Sequence, residues 1–166
     1  MDNRELNRVL RSAARDMGLC DQWYDGWEKD STRQELIEKY VRGIDFCISH
    51  DYPSLGFIRE NFPKNQLREN GIYVDGRGIV ERSGVIVVLG DSDMSIRVSG
   101  FMVCTLYVRH GSHVDVDVSG SGRVFIECYD ESVVRVSAVE ESKAFVYHYG
   151  GSVEFEGSVV VREKNR

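Results

Sequence analysis

Two aspartates on alternate positions, Asp115 and Asp117, are the first residues whose type and spacing could do chemistry. On an extended strand alternate side chains share a face, so the two carboxylates point the same way, roughly 7 Å apart. Carboxyl pairs near that separation cleave glycosidic bonds, one as acid and the other as base or nucleophile. Arginines in the neighbouring repeats, however, stand where they neutralise both. His110 and His113 make a second constellation, with Arg109 and Asp115 beside them. An HxxH pair is a metal candidate, but in a turn polar residues need no such role. His148 falls in an apolar row and reads as a hydrogen-bonded core residue rather than a base.

No zinc-type Cys/His spacing, phosphate loop, nucleophile elbow or zinc-protease helix is present in the sequence. The four cysteines, Cys20, Cys47, Cys104 and Cys128, read as buried free thiols. The expectation is a protein that is not an enzyme and takes no cofactor. A basic stripe, Arg4, Arg8, Arg11 and Arg15, lies on one side of the first helical segment. It could dock on an acidic partner or a nucleic-acid backbone, or be a solvated helix face flanked by Glu5 and Asp16. The formal net charge of -6 is spread evenly: 11 basic and 13 acidic side chains in residues 1–70, 10 and 14 in residues 71–166. Neither part has the basic surplus that tracks phosphates, which argues against nucleic acid as the partner.

The elements that position these residues come in two kinds. Residues 1–70 have helical periodicity. Leu6, Val9, Leu10, Ala13 and Met17 form one face of a first helix; an aromatic segment, Trp23-Tyr24 to Trp27, follows. Ser31 or Thr32 caps a helix that carries Leu36, Ile37, Tyr40, Val41, Ile44, Cys47 and Ile48 up to Asp51-Tyr-Pro53. Ser54–Phe62 and Pro63–Asn70 add one or two short helices.

From residue 71 the period changes to two. Ile72–Val74 and Val85–Leu89 are strands, and from Met94 to His148 an alternating apolar triplet returns every ten residues. The outward residues show that one lap takes twenty. Alternate strands project Thr105, Tyr107 and Arg109, then Phe125, Glu127 and Tyr129, then Phe145, Tyr147 and Tyr149. The intervening strands project Asp115, Asp117, Arg97, Arg135 and serines. Such segregation predicts two sheets of a parallel solenoid, with Asp115 beside Arg135 and Arg97 beside Asp117. The expected fold is α+β: a helical region, 1–70, followed by a short right-handed parallel β-solenoid, 71–166. An antiparallel sandwich or jelly roll is the alternative. The register breaks at Glu154, where a terminal, capping coil is expected.

The aromatic sheet would be apolar on both faces and needs a cover, either the helices or another chain. Tyr107, Phe125, Tyr129, Phe145, Tyr147 and Tyr149 are therefore the candidate interaction surface. The expected partner is a protein, including further copies of this chain, since an open sheet edge invites self-association. No apolar run is long enough for a membrane span and no signal peptide opens the chain, which predicts a cytoplasmic or virion-borne product.

The segments Leu19–Trp27, Glu35–Pro53, Asn70–Asp75 and Tyr107–Ser112 resemble a group of proteins carried by phages and mobile elements of gut Bacteroidales. That resemblance implies a structural or accessory role and no particular activity. In architecture the repeat part is similar to short β-solenoids such as the bactofilins, whose coil is longer and three-sided. Carbohydrate binding or cleavage, and binding of a host factor through the arginine stripe, are the alternative functions.

Overall fold

Capping chemistry and one buried polar cluster organise the helical unit. The structure, a computed structural model, describes residues 1–165, and the chain divides into two compact units after Asn70. The first unit holds helices α1 (Asn3–Asp16), α2 (Asp21–Asp25), α3 (Arg33–Arg42), α4 (Ile44–His50), α5 (Leu55–Asn61) and α6 (Lys64–Glu69). Asp2 caps α1, and Thr32 with Glu35 closes a capping box on α3. Inside, Asn7 donates to the Ser31 carbonyl at 2.7 Å and accepts from the Trp27 indole at 3.0 Å. The buried Tyr52 hydroxyl donates to the Leu10 carbonyl at 2.6 Å.

Two helical expectations need correction. The buried seam of α1 is Leu6, Asn7, Leu10 and Ala14, while Met17 is exposed. Met17 lies past the last helical residue, as the C-cap of α1. The helix expected to run from Thr32 to Ile48 is broken at Gly43, which ends α3 and begins α4.

Period-two alternation builds the second unit. Its strands are β1 (Ile72–Val74), β2 (Arg77–Val80), β3 (Gly84–Leu89), β4 (Asp93–Val98), β5 (Val103–Val108) and β6 (His113–Val118), then β7 (Arg123–Cys128), β8 (Val133–Ala138), β9 (Lys143–His148), β10 (Ser152–Gly157) and β11 (Val159–Glu163). Odd-numbered strands form one six-stranded sheet and even-numbered strands a five-stranded sheet, every pairing parallel. The chain therefore winds as a parallel β-solenoid with two strands per lap. In the central coils partners are twenty residues apart, as in Phe125↔Phe145 and Asp115↔Arg135. Strand β2 was not foreseen: Arg77-Gly-Ile-Val lacks alternation, and Ile79 points outward, 60% exposed.

The core is the space between the sheets. Ile86, Leu106, Ile126 and Val146 stack along one interior row, and Ile96, Val116 and Val136 along another, all essentially inaccessible to water. At the last lap the spacing falls to nineteen residues between β8 and β10 and to fifteen between β9 and β11. That shift keeps Val153 and Phe155 over Val134 and Val136, and puts Glu154 outward over Arg135.

The corners repeat as strictly as the strands. Gly90, Gly100, His110, Gly120, Asp130 and Glu140 all have positive φ. A non-glycine residue resists that conformation, and here each one makes a compensating bond to the lap before. Glu140 accepts from the Gly120 N–H at 3.1 Å, Asp130 from the His110 N–H at 3.0 Å, and His110 Nδ1 from the Gly90 N–H at 3.1 Å. No helix among the described residues is long and apolar enough to cross a membrane.

Candidate functional site

The odd-numbered sheet carries the aromatic residues in ladders, because side chains twenty residues apart lie one strand spacing apart. Phe125 and Phe145 stack with centroids 5.2 Å apart and planes 8° from parallel; Tyr129 and Tyr149 stack at 4.6 Å and 7°. Tyr107, Glu127, Tyr147 and Arg162 share the column between them. The six expected interaction residues thus sit on one sheet face, but they are not equally accessible. Tyr107 and Tyr129 are buried, whereas Phe125, Phe145, Tyr147 and Tyr149 are half-buried. Cations flank the ladder: Lys143 Nζ lies 5.3 Å from the Phe145 ring centre and Lys164 Nζ 5.6 Å from that of Tyr147.

One lap before Tyr129, in the same column, stands a residue of a pair that sequence reasoning missed. The Arg109 guanidinium, 3% exposed, makes two hydrogen bonds to Asp130, at 2.9 and 3.0 Å. It also lies 4.8 Å from the Tyr129 ring centre. The Arg109 bonds, with help from the His110 N–H, hold the Asp130 carboxyl down to about 2. Tyr129 donates its hydroxyl to Glu127 at 2.7 Å, and burial pushes its phenol well above the usual range. The signal was present in the sequence: Arg109 and Asp130 are one lap and one residue apart, at a corner.

The candidate acids do not share such surroundings. Asp115 and Asp117 project from the open face of β6, both exposed, with Ser95 and Arg135 beside the first and Arg97 and Ser137 beside the second. Arg135 is the arginine expected to neutralise Asp115. Its Nε lies 3.4 Å from Glu154 on the next lap. His110 is committed as an acceptor at its corner, and His113 is exposed on β6. Among the described residues no three His, Cys, Asp or Glu side chains gather as a metal site.

The arginine stripe is divided. Arg11 lies 3.8 Å from the Tyr24 ring centre and donates to the Tyr24 carbonyl at 3.2 Å, while Arg15 pairs with Asp21. Arg8 approaches Glu5 at 4.0 Å, and Arg4 is exposed. Half of the stripe therefore fastens α1 to α2. A cavity of about 540 Å³ opens in the same unit beside Trp23, between Glu28, Glu35, Glu38, Lys39 and Arg42. Its mixed charges select no one ligand, and sequence gave no sign of it. Of the cysteines, Cys47, Cys104 and Cys128 are buried as expected, but Cys20 is exposed at the start of α2.

His148 stands in the interior row above Cys128, with Glu163 next in that row. Its Nδ1 meets the Glu163 carboxylate at 2.8 and 2.9 Å, and its Nε2 meets the Gly151 carbonyl at 2.8 Å. Both partners accept, so this site favours the cationic imidazole, whose two ring nitrogens both donate. The Glu163 bond, then the Gly151 bond, raises its pKa.

No family model, curated protein or solved structure matches the chain.

Proposed function

We propose that this chain is a non-catalytic interaction and assembly module, a rigid solenoid that presents protein-binding surface as a structural or accessory component of a phage or mobile element. The observation that carries the reading is the stacking of the ladder rings upon one another. A sugar- or base-binding platform needs free aromatic faces. Here Phe125 with Phe145 and Tyr129 with Tyr149 spend facing sides on each other. What remains outward is an aromatic strip beside Lys143, Lys164 and Arg162. Such a strip suits the surface of another protein, where aromatic and cationic side chains supply most of the binding energy.

Light scattering across a concentration series tests this, together with titration against a panel of soluble glycans. Mass that rises above one chain, with no heat from any glycan, supports assembly. A strict monomer that binds or cleaves a glycan, losing that property in the Asp115→Asn/Asp117→Asn variant, overturns it in favour of a carbohydrate-active protein.

A further inference from the structure

The two outer faces of the solenoid carry opposite charge. On the aromatic strip, the positions facing outward from β7, β9 and β11 include Arg123, Lys143, Arg162 and Lys164. The carboxylate among them, Glu127, is engaged by the Tyr129 hydroxyl. On a chain whose formal net charge is -6, this face is positive. The even-numbered sheet is its opposite. Asp93, Asp115, Asp117, Glu154 and Glu156 project from it, all exposed. Arg77, Arg97 and Arg135 do not balance them, and Arg77 also turns toward the corner carboxylate of Asp91, 3.7 Å away.

We propose that the aromatic strip docks on the acidic, even-numbered sheet of a second copy, so that copies join side by side through unlike faces. The inference rests on the assembly reading above and names the occupant of the strip. A two-fold contact lays a surface on the same surface of its partner. For the strip that would set cations on cations, and for the even-numbered sheet carboxylates on carboxylates. Neither face closes well on itself. Laying the strip on the even-numbered sheet removes both conflicts at once.

The faces match in more than net charge. Arg97 and Arg135 are exposed on the even-numbered sheet. A guanidinium packs against aromatic rings, as Arg109 already does 4.8 Å from the Tyr129 ring centre. Lys143 and Lys164, beside Phe145 and Tyr147, supply the cations that the exposed carboxylates lack. Both faces are ruled at the same spacing, about 4.8 Å from strand to strand, so the rows of two copies can run in step. Because the core lies between the sheets, the two faces look in opposite directions. A copy docked on one leaves the other open, and the contact propagates as a row rather than closing as a dimer.

The test is sedimentation equilibrium on the full chain, two variants and their mixture. Wild type is expected to gain mass steadily with concentration, past two chains. Lys143→Glu/Lys164→Glu spoils the strip, and Asp115→Asn/Asp117→Asn spoils the acidic face. Each should weaken association by at least about tenfold. Mixed in equal amounts, the two variants should form one-to-one pairs and stop there, because each brings the face that the other lacks. The mixture is also the folding control, since both intact faces must still work. Wild-type association that halts at a dimer overturns the pairing of unlike faces while leaving assembly standing. So does an Asp115→Asn/Asp117→Asn variant that associates like wild type, or a mixture that fails to pair. A wild type that stays monomeric overturns both.

Discussion

The Phe145 ring lies on the Phe125 ring, 5.2 Å between centres and 8° from parallel, with one lap of the chain between them. The contact exists only if strands twenty residues apart are neighbours in register. Its coupling should therefore be visible in stability. A double-mutant cycle of Phe125→Ala and Phe145→Ala, read by denaturant unfolding, is expected to give about 0.5–1.5 kcal/mol beyond the separate losses. Additive losses would mean the rings do not meet.

The Arg109–Asp130 pair predicts a sharp asymmetry. Asp130→Ala leaves a guanidinium that is 3% exposed without its carboxylate, which should cost about 3 kcal/mol. Replacing both, with Arg109→Met and Asp130→Ala, should cost less than the single change. The Asp130 carboxyl is depressed to about 2, so its contribution is present above the unfolded value near 3.9 and is lost as pH falls toward 2. Unfolding midpoints from pH 6 to pH 2 should show wild type converging on Asp130→Ala, and parallel curves would refute the pairing.

His148 works in the opposite sense. Its raised pKa means that its stabilisation is fully present below the unfolded value of about 6.5 and fades as pH climbs through the folded one. Glu163 is 77% exposed, so solvent screening limits the effect to about 1 kcal/mol or less. Thermal unfolding of wild type and Glu163→Gln should differ at pH 6 and draw together at alkaline pH. A gap that widens with pH would reverse the assignment.

Thiol chemistry should separate one cysteine from three. Cys20 is exposed, while burial raises the Cys47 and Cys128 thiols to about 12 and raises that of Cys104, which donates to the Arg82 carbonyl. A maleimide should modify Cys20 alone in the native protein and all four after unfolding. Rapid native labelling at Cys104 or Cys128 would contradict a closed core.

The strands were legible because a slip of one residue would turn every Val, Ile and Leu of a triplet to the wrong face. The twenty-residue lap was legible in the segregation of aromatic from charged outward positions. The corners were not. His110, Asp130 and Glu140 take a left-handed conformation that their residue types disfavour, and the compensating bond comes from a residue a full lap away. The break at Gly43 and the outward Ile79 of β2 escaped for related reasons: neither disturbs a periodic pattern long enough to register. Asp115 and Asp117 had the spacing of a catalytic pair, but spacing does not encode a cleft.

Light scattering of wild type and Phe145→Ala/Tyr147→Ala over one concentration series tests assembly through the aromatic strip most directly. The account predicts that wild type gains mass above one chain and that the variant does so only at about tenfold higher concentration or not at all. Equal mass at every concentration, where wild type associates, would contradict it.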